Sequence, residues 1–430
     1  MPRANGQNKK RVILALFLSG LLFRLPFLLI FGAIDTPDTI GYLATADEIA
    51  AGRFYDHVNE TFRLPGYPLL VAFILWLPRS LEALLLVQVV LSAAAAILIY
   101  LAADIAFNER AARLGGWLVA LNPALAYYSV VLLPETLTIH LVALATWSFA
   151  TALQGGQLRW FGATGVVLAL LVWTKAILLV LIPAFLVAAW LTRPPRVKRG
   201  MAVLIVPVLV LTLGWTAHNT IRHGFSGYSP GLGLNLLERT IYLDAPDHAS
   251  PIKDRALREY AELKEMKALG SQADALYYSL AVIHTWRHYR ATLTVPELDQ
   301  LFLQVAWRQI REDPVGYLTT TAVEFGCTWA GYTPHWAKWR PTEPAGIPDW
   351  SYLVLGPVIG GIMLSLTVYG SVQAGVSGNR RALAWILPVF LVTLASSLVS
   401  ASDYRFRLPV EPLILSLVGY AIVSMAEARR

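Results

Sequence analysis

Long apolar runs joined by short charged segments dominate the chain, and the runs have the length of membrane helices. The first, from Val12 to Phe31, is followed by others near 82–105, 113–132, 136–153, 158–175, 176–192, 201–221, 351–373, 382–401 and 408–426. Each is close to the ~20 residues that cross about 30 Å of hydrocarbon as helix. The pattern predicts an all-α polytopic membrane protein with about ten transmembrane helices. One stretch breaks the rule: Gly66 to Leu77 holds 12 residues, which as helix reach only about 18 Å. It predicts a juxtamembrane or re-entrant helix and not a span.

Charge sets the expected orientation. Lys and Arg cluster before the first run, at Arg110 and Arg113, at Arg159, at Arg193, Arg196, Lys198 and Arg199, at Arg380 and Arg381, and at Arg429 and Arg430. With both termini in the cytoplasm and Gly66–Leu77 not counted as a crossing, every cluster falls on the cytoplasmic side. That leaves two outer loops, 32–81 and 222–350, inserted in a single membrane domain, 1–430. The larger loop shows amphipathic helical patterns near 253–269, 273–291 and 296–312, then an apolar stretch from Val315 to Tyr332 expected to lie along the membrane surface.

Composition agrees. Hydrophobic residues make up 56% of the 430 positions and charged ones 15%, against roughly a quarter charged in soluble domains. The formal charge of +7 is accounted for by the basic cytoplasmic joints and argues for no nucleic acid. The single cysteine, Cys327, excludes an intrachain disulfide and a cysteine-built metal site. The first run is too long for a signal peptide and lacks a clear cleavage site, so an uncleaved first span is expected.

The outer loops hold the candidate chemistry. Asp38 follows Pro37 and is placed to open a short helix that ends at Gly52; there it is either a helix-terminal acid or a catalytic carboxylate. Arg63, in Arg63-Leu64-Pro65-Gly66-Tyr67-Pro68, sits at headgroup level, where a guanidinium either snorkels or binds a phosphate through two parallel N–H bonds. Glu135 and Lys175 border spans on the same face, and Tyr404-Arg405-Phe406-Arg407-Leu408-Pro409 brings two more guanidiniums to it, against the topological charge bias. Arg24, inside the first span, is placed either to reach an acid of the first loop or to extend to the interface. His284, His288, His335, Arg340 and Asp349 are scattered without metal-ligand spacing.

In their order along the chain these features resemble the GT-C superfamily of integral membrane glycosyltransferases. The likeness is to the branch that holds the protein O-mannosyltransferases and the bacterial lipid A aminoarabinose transferase. It rests on Asp38 with Tyr42 four residues later, the helix ending at Gly52, and the Arg63–Pro68 segment opening a juxtamembrane helix. Asn122-Pro123 with Glu135, Thr174-Lys175, the run from Ile310 to Leu318, and Tyr404–Pro409 extend it through the chain. The resemblance implies transfer of a sugar from a polyprenyl-phosphate donor to a lipid, glycan or protein acceptor. The site would face the periplasm or exterior of a bacterial plasma (inner) membrane. It implies Asp38 as catalytic base in an inverting displacement, Arg63, Arg405, Arg407 and Lys175 on the donor phosphate, and Glu135 and Tyr42 near the acceptor or a metal. Thr39 stands where many relatives carry a second acid. The cofactor therefore stays unknown, a divalent cation such as Mg or Mn being the candidate. The alternative is a transporter or flippase for a lipid-linked saccharide, which calls for broken helices or paired repeats around a midplane site; a non-catalytic assembly subunit would leave Asp38 as a helix cap.

Overall fold

The computed structural model describes residues 6–76, 80–241, 243, 250–266, 274–330, 349–400 and 404–429. Segment 331–348, with His335 and Arg340, and the acid Asp403 lie outside the described residues. All regular elements described are helical: α1 (Gly6–Phe31), α2 (Pro37–Ala50), α3 (Gly66–Trp76), α4 (Leu81–Ala106), α5 (Glu109–Ala120), α6 (Pro123–Tyr128), α7 (Glu135–Gly155), α8 (Leu158–Thr174), α9 (Leu181–Thr192) and α10 (Val197–His223). The chain continues through α11 (Leu232–Thr240), α12 (Pro251–Glu265), α13 (Asp274–Tyr289), α14 (Val295–Glu312), α15 (Pro314–Ala330), α16 (Asp349–Val376), α17 (Leu383–Val399) and α18 (Glu411–Ala428). Short 3-10 turns occupy Val58–Phe62, Ala176–Val180, Tyr404–Phe406 and Leu408–Val410.

The protein is an integral membrane protein: seven of the described helices are long and apolar enough to cross a bilayer. Three of the ten expected runs fall short of that length. Leu158–Thr174 and Ala176–Thr192 are shorter apolar helices. The run 113–132 is interrupted, because the Asn122 side chain accepts the Leu125 N–H (2.9 Å) and Pro123 starts α6, the strongest local signal for a new helix start. α3 has the 11 residues of a helix too short to span.

The interruption leaves the last carbonyls of α5 inside the bundle, where no water satisfies them. Arg24 does so: its guanidinium donates to Ala120 O (2.7 Å), to Gly20 O (2.9 Å) and to Ser92 Oγ (2.8 Å) and is fully buried. A cation at a helix C-terminus is also favoured by the helix dipole. Arg24 therefore neither extends to the interface nor reaches the first loop.

The basic joints gather at one pole. Lys9 bonds Asp104 (2.7 Å), Arg381 donates to Ile105 O (3.2 Å), Asn379 to Ala106 O (2.7 Å) and Arg380 to Leu191 O (3.3 Å). α4 runs from there to the other pole, where the segments preceding α2 and α7 meet. Amphipathic α12, α13 and α14 fall close to the three patterned segments of the second loop and pack with α11 over this second pole.

Candidate active site

The site is assembled by backbone contacts between segments distant in sequence. Ile34 N donates to Val130 O (2.9 Å) and Leu132 N to Ile34 O (3.1 Å), a one-residue parallel bridge between the first loop and the stretch leading into α7. Thr36 caps α2 in a capping box with Thr39, whose hydroxyl also donates to Leu132 O (3.1 Å). The start of α2 is thus pinned three residues before Glu135, the first residue of α7. With Thr36 as the cap, Asp38 sits one residue into α2 and its carboxylate is free for other partners.

Those partners are two arginines. Asp38 Oδ1 accepts from Arg63 Nη2 (2.8 Å) and Oδ2 from Arg405 Nη1 (2.8 Å). Arg405 also brings Nε within 3.3 Å of Glu135 Oε1, which accepts a bond from Lys175 Nζ (3.0 Å). Two carboxylates therefore share three cations, 3 − 2 = 1 positive charge in surplus. Glu135 is nearly sealed, its side chain 2% exposed, while Asp38 remains 32% exposed. Glu135 Oε2 has no hydrogen-bond partner among the described residues. Burial alone would raise the Asp38 pKa, but Arg405 and Arg63 together hold the carboxyl well below the usual carboxylate range.

Local packing explains why these cations stay in place. The Arg63 guanidinium lies 4.6 Å over the Tyr42 ring and 4.8 Å over Phe62, each stack adding cation–π attraction. A Cβ at Gly41 would stand 3.0 Å from Arg63 Nε. Tyr55 donates to Arg63 O (2.7 Å). Tyr42 therefore forms the ledge under Arg63, with Tyr67 edge-on behind it at 5.3 Å. Lys175 lies 4.9 Å from the Phe406 ring.

The start of α3 is pressed against the end of α8. A Cβ at Gly66 would collide with Thr174 Oγ1 and lie 2.9 Å from the Thr174 backbone. Gly66→Ala is accordingly expected to cost about 1–3 kcal/mol of stability through overpacking and to displace Lys175 from Glu135. Thermal unfolding in detergent, compared with Gly375→Ala, whose Cβ meets nothing within 4 Å, checks it; equal effects would show that the contact does not matter.

The five residues Asp38, Arg63, Glu135, Lys175 and Arg405 meet, as their order in the sequence suggested. Arg407 is a correction to that expectation. It turns inward, 2% exposed, to pair with Glu411 (3.1 Å) and to donate to Trp329 O (3.1 Å), so it anchors the start of α18 instead of serving a phosphate. Asp38, Glu135 and Tyr42 do not fit a divalent cation as arranged. The Arg405 guanidinium fills the place between the two carboxylates that a bridging metal would take, and three cations already oversupply their charge. Among the described residues no group of three or more His, Cys, Asp or Glu side chains stands close enough to hold a metal ion.

Residues 65–217, about a third of the chain, match the Dolichyl-phosphate-mannose-protein mannosyltransferase family. The apo oligosaccharyltransferase of Archaeoglobus fulgidus superposes with a TM-score of 0.56 at 12% identity, over 98% of this chain and 51% of that one. The fold is that of the GT-C glycosyltransferases. The archaeal oligosaccharyltransferase AglB from the same organism, in complex with an inhibitory peptide and a dolichol-phosphate, agrees with a TM-score of 0.54 at 12% identity, again over 98% and 51% of the two chains. This chain spans about half the length of those solved structures. No curated protein sequence matches it.

The sequence did not single out Glu238. It lies half-buried on α11, and burial pushes its carboxyl up to about 8. No motif marks it, since an acid beside Arg239 in a short amphipathic helix reads as an ordinary surface pair.

Proposed function

We propose that this chain transfers a sugar from a polyprenyl-phosphate donor to an acceptor on the non-cytoplasmic face of a bacterial plasma membrane, with inversion at the anomeric carbon. The observation that carries the reading is the Arg63–Asp38–Arg405 clamp beside Glu135 and Lys175. It supplies a half-buried carboxylate that is still partly open to solvent, and an excess of positive charge at one point, the two things such a displacement needs. The family match over 65–217 and the dolichol-phosphate bound by AglB support a lipid-phosphate donor.

The donor phosphate lies on Arg63, Arg405 and Lys175, where two guanidiniums offer parallel N–H bonds. The acceptor approaches Asp38, donating its O–H or N–H to the carboxylate. Its heteroatom forms the new bond to the anomeric carbon as the bond to the phosphate oxygen breaks. The electron pair of that bond leaves on the polyprenyl phosphate, and the cations stabilise the growing charge. A carboxylate held so firmly ionised is a poor proton acceptor in the resting protein. The phosphate shares the guanidiniums with Asp38, weakens their hold and raises its proton affinity, so the base is strongest when the donor is loaded. Glu135 orients Lys175 and Arg405, within a single membrane domain, 1–430, that carries two outer loops, 32–81 and 222–350.

The broken α5–α6 helix does not favour a transporter, because Arg24 occupies the break and spends its guanidinium on backbone and Ser92. The test is Arg63→Ala. Losing one charge-assisted contact to phosphate is expected to raise the donor concentration for half-maximal transfer by roughly 10- to 100-fold, with a smaller change in the rate at saturation. Unchanged donor dependence, measured with radiolabelled sugar, would remove Arg63 from the phosphate site.

A further inference from the structure

Arg63 lies between two elements and belongs to neither. It follows the Val58–Phe62 turn and precedes α3 in extended backbone (φ −104°, ψ 117°), with its N–H on Glu60 O (2.9 Å). Those local bonds do not fix where its guanidinium stands. The Tyr42 and Phe62 rings attract it, but cation–π attraction tolerates a range of positions over a ring face. A further restraint acts on the Arg63 backbone.

That restraint is Tyr55. Its phenol O–H donates to Arg63 O (2.7 Å), and the side chain is fully buried. The ring meets Trp215 of α10 edge-on at 4.8 Å and Phe54 at 5.1 Å. Trp215 is itself held: Nε1 donates to Tyr228 O (2.9 Å), the ring stacks on His218 at 5.1 Å, and Asn219, one turn on, donates to Gly227 O (3.0 Å). At the end of the same helix Arg222 reaches Asp56 (3.3 Å). The loop that carries Arg63 is thereby fastened to the end of a helix long enough to cross the membrane. Leu64, next to Arg63, packs in the same cluster, as do Trp173 and Ala176, which flank Thr174-Lys175.

The backbone says that the side chain is what this position requires. Tyr55 has a φ of +52°, in the left-handed region where glycine and asparagine are at ease and a bulky residue is an outlier. Either would make the turn with less strain. A tyrosine is held there by its ring contacts and its hydroxyl, the over-determination that a strained residue needs.

We propose that Tyr55 is a positioning residue for the donor phosphate, holding the Arg63 backbone against α10 so that the guanidinium stands at the Asp38 clamp. The inference rests on the reading of Arg63 as a phosphate ligand given above. The Tyr55 hydroxyl is spent on backbone and its ring on α10, so its effect on the donor passes through Arg63.

The test measures binding of undecaprenyl phosphate to the purified full chain in nanodiscs. Tyr55→Phe removes the hydroxyl and keeps the ring, so the packing beside Lys175 is preserved. It is expected to weaken binding about 3- to 10-fold, the worth of one neutral hydrogen bond. In transfer assays the donor concentration for half-maximal rate should rise by a similar factor, with the rate at saturation within about twofold. Arg63→Ala should weaken the probe more, and adding Tyr55→Phe to Arg63→Ala should change nothing further, because the guanidinium being positioned is gone. A residue that only stabilised the loop would instead weaken binding by the same factor in both backgrounds. That result, or unchanged binding in Tyr55→Phe beside a weakened Arg63→Ala, would overturn the positioning role. Wild-type binding in Arg63→Ala would remove the phosphate reading of Arg63, and the role of Tyr55 with it.

Discussion

Asp38→Asn is expected to slow sugar transfer by roughly 10²- to 10⁴-fold, the usual worth of a positioned acid or base, while tightening the binding of undecaprenyl phosphate. Asparagine keeps the shape and can still accept a hydrogen bond from Arg63 or Arg405. It removes one of the two negative charges that three cations share, so the surplus rises from one to two. Loss of turnover with gain of carrier affinity separates a catalytic Asp38 from a structural one, which would lower both. The pH profile adds an independent check. The folded-state pKa of Asp38 is depressed, so its charge is complete above the ordinary carboxylate range and is lost only well below it as pH falls. The profile of kcat/KM, which reports the unloaded protein, should therefore show no acid limb from Asp38 near pH ~4. An Asp38→Asn protein that transfers sugar at the wild-type rate would end the proposed mechanism.

Arg405→Ala should be nearly as damaging, with transfer down about 10²- to 10³-fold. It removes the guanidinium that touches both carboxylates, and leaves the sealed Glu135 with Lys175 as its remaining salt-bridge partner among the described residues. Arg405→Lys is not expected to restore activity, because one compact ammonium offers no fork that serves Asp38 Oδ2 and Glu135 Oε1 together. The space opened in Arg405→Ala lies between two carboxylates, so Mg or Mn should partly rescue that variant and leave the wild type unchanged. Wild-type transfer that depends on added Mg or Mn would show instead that the clamp opens to admit a metal.

Much of the architecture was legible in the chain. The amphipathic segments near 253–269, 273–291 and 296–312 correspond to α12, α13 and α14, because a 3.6-residue period needs no partner to be read. The short Gly66 helix was legible from its length. The break at Asn122-Pro123 was overlooked although its capping chemistry is local: within 113–132 the hydropathy total masked it. The residues Asp38, Arg63, Glu135, Lys175 and Arg405 were singled out in advance, and the Ile34–Val131 bridge is what joins the Asp38 segment to the Glu135 segment. Arg407 was misjudged because Arg405 and Arg407 look alike in sequence. In the fold one faces the cleft and the other turns inward to Glu411, four residues on.

What the sequence by itself determined is the class of the protein: lipid as solvent, one basic pole, and an acidic and basic set at the other. These follow from how many apolar residues run together and where charge is left over, properties summed along the chain. What only the tertiary structure decided is pairing. Whether Arg24 reaches outward or caps a broken helix depends on atoms contributed by other segments. So does the saturation of Asp38 by two arginines before any substrate arrives. Burial and charge–charge energies vary with distances of a few ångströms, and those distances exist only once the chain has folded.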